Sequence, residues 1–208
     1  MRIRHIAPAL GLLCLAVAGC TTVSPGEATP MPTSEVSSTS SGNGDGLPTN
    51  GAPKVEHPLE KTSRFEQDPC SILTAAQAQD LDLPTKGKED DGSFGLDCQW
   101  FNEDTGSKVT IGFFTNDPRG LSGSYAAHDE GKYGFFTPLP PIEGYPAIAV
   151  DVTDRRPEGI CLVEVGVSDK LSFHVDLHLS QVNVGTKDPC EIGAMVAGKA
   201  LQTMKEGA

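Results

Sequence analysis

The clearest structural signal in the chain is the stretch LSFHVDLHLS, residues 171–180. Apolar and polar residues alternate strictly along it, and successive side chains of a β-strand point to opposite faces of a sheet. One face of this strand therefore carries Leu, Phe, Val, Leu and Leu, while the other carries Ser, His, Asp, His and Ser. The pattern predicts a strand of an antiparallel sheet that buries one face and exposes its polar face to water.

Outward from this strand, the same alternation predicts four further strands and the helical periodicity predicts three helices. The predicted strands lie at about residues 94–100, 109–113, 147–152 and 160–167. The predicted helices lie at about residues 74–81, 121–130 and 188–204. Thr74 and Asp188 are residue types that cap helix N-termini, which favours a helix start at each position. Helices before, between and after the strands predict an α+β fold, a single domain with an antiparallel sheet of about five strands and flanking helices.

The N-terminus has the pattern of an exported lipoprotein. Arg2 and Arg4 precede an apolar run, residues 6–18, that is too short to span a bilayer comfortably. Small residues then lead directly to Cys20. We expect a signal peptide over residues 1–19, cleavage before Cys20, and a diacylglyceryl group with palmitate-type chains on its thiol. Two acyl chains suffice for stable anchoring, so the protein is expected at the outer face of the cytoplasmic membrane.

The segment after the anchor has the composition of a spacer. Residues 20–66 are rich in Ser, Thr, Pro and Gly, so they offer little apolar surface to offset the entropy of ordering. We predict that they form a lipidated, disordered tether, and that residues 67–208 form the globular domain.

The charge of the chain limits its partners. The net charge is −12, from 16 Lys and Arg against 28 Asp and Glu. Removal of a signal peptide that contains Arg2 and Arg4 but no acidic residue would make it −14. A chain this acidic repels phosphate backbones and anionic headgroups, so we expect no nucleic-acid partner and a membrane contact through the lipid alone. The sequence contains no glycine-rich phosphate loop, and we expect no cofactor.

Six cysteines occur, of which Cys14 leaves with the signal peptide and Cys20 carries the lipid. The other four are expected to form two disulfides, as is usual in exported domains: Cys70, Cys98, Cys161 and Cys190. Both strand cysteines lie in register with core-facing residues, and the other two open helical segments. We therefore predict Cys70–Cys98 and Cys161–Cys190, with the crossed pairing as the rival. A zinc site is disfavoured because no C-x-x-C pair is present.

Two Asp-Pro-Cys motifs frame the domain, at residues 68–70 and 188–190, with Cys98-Gln99-Trp100, Gly144-Tyr145-Pro146-Ala147 and Cys161 between them. Together with the lipidation motif and the tether, these residues resemble the actinobacterial lipoproteins grouped as domain of unknown function 3558. The resemblance covers roughly residues 67–205. It implies an exported, lipid-anchored domain and supplies no catalytic residues.

The one cluster with metal-ligand chemistry is His174, Asp176 and His178, with Glu164 on the neighbouring strand. Alternate residues of a strand share a face, so these side chains could converge on an ion. A solvated sheet face requires polar residues at the same positions, and we favour that interpretation and predict no metal site.

Other candidate features are weaker. The stretch GLSGS, residues 120–124, resembles a serine elbow but has the wrong spacing. The aromatic run at residues 133–136 leads into a Pro-rich segment, and is interpreted as a core strand edge with a Pro-rich crossover rather than as a binding lip. Asp90 and Asp91 are assigned to a solvated loop, residues 86–93.

These patterns concern export, anchoring and stability rather than catalysis. We therefore expect no enzyme activity, and a cell-surface binding or accessory domain whose ligand or partner is not specified. Two alternatives stay open: a carrier that holds a small molecule or lipid in an apolar cavity, and a surface hydrolase that uses a histidine or serine in a polar cleft.

Overall fold

A computed structural model describes residues 46–207, which belong to one compact unit. Within this range the strands are β1 Lys88–Asp91, β2 Leu96–Phe101, β3 Lys108–Phe113, β4 Phe135–Ile142, β5 Tyr145–Asp151, β6 Ile160–Ser168 and β7 Leu171–His178. They form one antiparallel sheet in the spatial order β1-β2-β3-β7-β6-β5-β4. The strand predicted from LSFHVDLHLS therefore lies at the centre of the sheet.

The helices of the described range are α1 Ser63–Gln67, α2 Ala75–Asp80, α3 Leu121–Asp129 and α4 Pro189–Glu206. Residues of α1, α2 and α4 join the main hydrophobic core on one side of the sheet, which we call the α4 face. Leu121 of α3 packs on the opposite side, the α3 face, against Ile148 and Val150 of β5. No helix among residues 46–207 is long and apolar enough to cross a bilayer.

Both predicted helix caps are confirmed. The Thr74 hydroxyl accepts a hydrogen bond from the Gln77 backbone N–H at 3.2 Å, and the Gln77 side chain accepts one from the Thr74 N–H at 2.8 Å. Asp188 Oδ1 accepts from the backbone N–H of Cys190 at 2.7 Å. These bonds satisfy donors that a helix N-terminus otherwise leaves without partners.

The α4 face is packed with apolar side chains. Val163, Phe173 and Val175 on the strands are fully buried, as are Ala197 and Leu201 on α4. Gly193 lets α4 lie close to β6, because a Cβ at this position would lie 3.0 Å from the side chain of Val163. The close approach of α4 to β6 therefore depends on a residue without a side chain.

The two disulfides have the predicted pairing. Cys70–Cys98 joins a 3-10 turn to β2 with a Cα–Cα distance of 5.0 Å, and Cys161–Cys190 joins β6 to the first turn of α4 at 5.2 Å. Both bonds lie on the α4 face, so that side of the sheet is crosslinked as well as packed.

The sheet has two more strands than predicted. Residues 88–91, assigned to a loop, form the exposed edge strand β1, and the Pro-rich run assigned to a crossover forms the opposite edge strand β4. Edge positions tolerate both exceptions to the strand pattern, because they have one hydrogen-bonded neighbour only and do not need every backbone N–H.

The domain also begins earlier than residue 67. Val55 and Phe65 are buried in the main core, and Ala52 is buried with α3. The Val55 N–H donates to Asp169 Oδ1 at 2.9 Å, and the Leu59 N–H donates to the backbone of Val167 at 2.9 Å. The boundary set from composition is thus too late, because a few well-placed apolar residues order a Pro- and Gly-rich segment. Residues 20–45 of the predicted tether lie outside the described range.

Candidate functional site

The α3 face is buried at its centre, although its residues are polar. Ser172 and His174 of β7 are 1% and 4% exposed, and Glu164 of β6 is 2% exposed. The prediction that this face of β7 is solvated is therefore wrong. Helix α3 covers Glu164, while the rings of Phe94 and Phe114 pack against His174 with centroid distances of 6.2 and 5.1 Å.

The polar residues lie in one row across the sheet. Asp97 of β2 is opposite Gly112 of β3, Gly112 is opposite His174, and His174 is opposite Glu164. Directly opposed residues of an antiparallel pair point to the same side. The register thus brings two carboxyl groups and an imidazole together on the α3 face, from three parts of the sequence.

Gly112 makes the space that this row requires. A Cβ at this position would lie 1.7 Å from Oδ1 of Asp97, and a Cβ at Gly92 would lie 1.9 Å from Oδ2. The carboxyl group of Asp97 therefore occupies the volume that two side chains would fill. Glycine inside a strand often marks such a close approach.

Asp97 and His174 face each other without a good hydrogen bond. Asp97 Oδ1 lies 3.5 Å from His174 Nε2, and neither Asp97 Oδ1 nor His174 Nδ1 has a hydrogen-bond partner. Burial, together with the negative charges of Asp90 and Asp176, raises the pKa of Asp97 to about 6. Burial also lowers the pKa of His174 to about 4, so the imidazole is neutral at neutral pH.

Glu164 is the centre of a hydroxyl cluster. Ser172 Oγ donates to its Oε1 at 2.6 Å, Ser124 Oγ donates to its Oε2, and the Tyr133 hydroxyl donates to Ser124 Oγ at 3.2 Å. Burial raises the pKa of Glu164 to about 7, against the lowering effect of the two serines. The charged side chain that acts on it, Asp117, is also negative. Glu164 can therefore change its charge near neutral pH.

A pocket of about 180 Å³ opens onto this cluster between α3 and the sheet. Ser124, Ala127, Tyr133 and Glu164 contribute to its walls, together with an aromatic side formed by Phe94 and Phe114 and a polar rim formed by Asp117 and Arg119. Arg119 donates from Nε and Nη2 to the two oxygens of Asp117, at 2.7 and 2.6 Å. The rim is therefore an ion pair, and the one remaining carboxyl group is Glu164.

Gly123 on α3 keeps the pocket open. A Cβ there would lie 2.6 Å from Asp117 Oδ2, so a larger residue would displace the rim ion pair. This gives a structural reason for a glycine inside α3.

The predicted metal-type residues do not converge. Asp176 Oδ1 lies 3.5 Å from His178 Nε2, toward one end of β7, while His174 faces Asp97 and Glu164 bonds to serines. No group of three His, Cys, Asp or Glu side chains among residues 46–207 is arranged to hold a metal ion.

The structure places the other candidate residues in different parts of the molecule. Of the aromatic run, Tyr133 reaches the pocket, while Phe136 stacks on His128 at 4.1 Å. Asp90 and Asp91 are exposed on β1. Phe94 begins the strand predicted at residues 94–100, but β2 starts at Leu96, and Phe94 is 46% exposed on the α3 face. Cys20, the predicted lipidation site, lies outside the described residues.

The comparison with protein families covers the domain and part of the chain that precedes it. Residues 15–203 match a family described as protein of unknown function, DUF3558. The chain belongs to this family. The match spans both disulfides and every residue of the pocket, so the site described above lies wholly inside the family's region. No curated protein and no solved structure matches the chain.

Asp97, Ser172 and the Asp117–Arg119 pair were not singled out by sequence reasoning. Their positions follow ordinary patterns: Asp97 is an outward-facing strand residue, and Ser172 is part of the alternation. The useful signal was Gly112, a glycine in the middle of a strand pattern, which indicates that another group approaches its backbone closely.

Proposed function

We propose that this protein is exported and lipid-anchored through Cys20, and that its domain binds a small molecule in the pocket above Glu164 without chemical conversion. One observation supports the binding role above the rest. A fully buried carboxyl group lies at a pocket wall, held by uncharged hydroxyls, and the cation of the pocket rim, Arg119, is already paired with Asp117.

Such an arrangement is unfavourable for the free protein. Burial of a carboxylate without a compensating positive charge destabilises the folded state, and an apolar side chain of similar volume would fill the space without this cost. Groups with strongly perturbed pKa values in a pocket are typical of functional sites. The stability of the free protein gives no reason for a buried carboxylate at this position. A ligand that compensates the negative charge of Glu164 does give a reason.

The binding role is tested by filling the pocket from α3. Ala127 lines the pocket, whereas its neighbour Ala126 does not, so Ala127→Phe and Ala126→Phe are a matched pair. A collection of small metabolites is screened for an increase in the melting temperature of the full-length chain. We expect at least one compound that stabilises the wild type and Ala126→Phe but not Ala127→Phe. Equal stabilisation of all three proteins by every active compound would contradict the proposal.

The anchor is tested separately in cells that lipidate exported proteins. The wild-type chain should incorporate labelled fatty acid and fractionate with membranes, because two acyl chains anchor stably. Cys20→Ser should incorporate no label, and should either leave the membrane or remain as an uncleaved precursor, while Cys14→Ser, in the expected signal peptide, should behave as wild type. A labelled, membrane-bound Cys20→Ser protein would contradict the assignment.

A hydrolase is the second candidate, and the Ser124–Glu164 hydrogen bond favours it. A base with a pKa near 7 next to a hydroxyl in a pocket could activate that hydroxyl as a nucleophile. However, Ser124 Oγ also accepts a hydrogen bond from Tyr133, and the backbone N–H groups of Ser122 and Gly123 already donate to Arg119 and Gly120. Turnover of a pocket ligand that stops in Ser124→Ala would establish the hydrolase instead.

A carrier is the remaining alternative, with a different location. A groove of about 490 Å³ lies between β4 and α4, with Leu139, Ile142 and Ala194 among its lining residues. Stabilisation by lipids or fatty acids that persists in Ala127→Phe and is lost in Ala194→Asp would favour this alternative.

A further inference from the structure

The pocket also indicates which kind of ligand it takes. We propose that it binds a small primary amine in its ammonium form, with the ammonium group at Glu164 and Ser124 and the carbon skeleton beside Phe94, Phe114 and Tyr133. This inference rests on the proposed function and names the ligand class of the same site.

The charge inside the pocket favours a cation. Arg119 is neutralised by Asp117, since its Nε and Nη2 atoms both donate to that carboxylate. An ionised Glu164 therefore leaves the pocket with one net negative charge. The chain as a whole carries a net charge of −12, which favours association with cations over anions.

The hydrogen-bonding groups fit an ammonium ion. An ammonium group has three donors and no acceptor, so it needs oxygen atoms around it. Glu164 Oε2, the Ser124 hydroxyl and the Tyr133 hydroxyl are linked to one another at the pocket and supply three oxygens. A carboxylate ligand would meet the same oxygens with repulsion.

The walls and the volume fit a short organic skeleton. Phe94 and Phe114 lie with ring centroids 4.7 Å apart on one side, and the faces of aromatic rings attract cations. A volume of about 180 Å³ is slightly larger than the engineered protein cavity that holds benzene. The pocket therefore suits a ligand of roughly six to eight non-hydrogen atoms.

Binding should depend on pH through Glu164. The charged or titratable groups around it are Asp117 and Arg119 at the rim, Tyr133 at the wall, and His174 opposite it in the sheet, with Asp97 next in the same row. Because the pKa of Glu164 is raised to about 7, an ammonium ion binds best above this pH. Affinity should rise about tenfold from pH 6 to pH 8, as the ionised fraction of Glu164 rises.

The test uses three probes that share a phenyl ring and are of similar size: benzylamine, benzyl alcohol and benzoate. Calorimetry of the full-length chain at pH 8 should give an affinity for benzylamine at least tenfold above that for the other two. Glu164→Gln should lower benzylamine affinity at least tenfold and abolish the rise from pH 6 to pH 8. Glu130→Gln, the same change at an exposed residue just beyond α3, should leave both unchanged.

The other outcomes separate the two proposals. Preferential binding of benzoate or benzyl alcohol that is lost in Ala127→Phe would overturn the amine and leave the binding pocket in place. Benzylamine binding that is equal in wild type, Glu164→Gln and Ala127→Phe would overturn the amine site. If no probe binds, the amine is overturned, and the metabolite screen with Ala127→Phe decides whether the pocket binds anything.

Discussion

Both faces of strand β7 are buried at its centre, yet they are filled in opposite ways. Phe173 and Val175 point to the α4 face and belong to the main hydrophobic core, whereas Ser172 and His174 point to the α3 face and meet hydroxyl, carboxyl and aromatic groups. One face therefore stabilises the fold, and the other retains groups that oppose it. A domain can keep an unfavourable polar cluster when the opposite side of the same sheet supplies the stability.

The disulfides follow the same division. Both join a helix or turn to the α4 face, and they close loops with sequence separations of 28 and 29. Loops of this size contribute on the order of 3–4 kcal/mol each through the unfolded state. Helix α3, which forms the roof of the pocket, has no such link in the described chain. The disulfides therefore crosslink the α4 face and leave the roof of the pocket held by non-covalent contacts.

The most direct test of the difference between the two faces is to truncate one aromatic residue on each of them. Phe173→Ala should lower the free energy of unfolding by about 4 kcal/mol, because it leaves a cavity in a fully packed core. Phe94→Ala should cost about 1 kcal/mol or less, since its ring is 46% exposed. Urea unfolding of both variants measures the difference, and equal losses would contradict the division between the faces.

The second change removes the buried charge. The folded-state pKa of Glu164 is about 7, above its ordinary value of 4.5, so the folded protein holds this proton more tightly. The wild type should therefore lose on the order of 3 kcal/mol of stability between pH 4.5 and pH 8, through this group. Glu164→Gln should lack that loss and be the more stable protein at pH 8. Unfolding at pH 4.5, 6 and 8 tests this, and parallel pH curves for the two proteins would refute it.

The third change has the opposite sign. The pKa of His174 is about 4 in the folded state against 6.5 ordinarily, so the unfolded chain binds this proton first as the pH falls. His174 should therefore cost about 2 kcal/mol at pH 5 relative to pH 8. His174→Asn should remove this acid sensitivity, while His57→Asn, at an exposed position, should keep it. An unchanged acid response in His174→Asn would show that the imidazole is not held neutral.

Local chemistry made much of the fold predictable. The alternation of residues 171–180 identified the central strand, Thr74 and Asp188 identified two helix starts, and the facing of the strand cysteines identified the disulfide pairing. Each of these depends on a few neighbouring residues, whose steric and hydrogen-bonding preferences act over one turn or one strand. Edge strands β1 and β4 escaped this reasoning because their sequences contain charges or prolines that only an edge accepts.

The pocket, in contrast, was decided by tertiary structure. The sequence contains Glu164, Ser124 and Tyr133 but does not show that they lie close together. Their proximity depends on the register of β6 with β7 and on where α3 crosses the sheet. Polar residues on alternate strand positions look the same whether water or a helix covers them. What covers them is set by long-range packing of α3 and of residues 46–55, and burial then changes the chemistry by shifting the pKa values of Glu164 and His174.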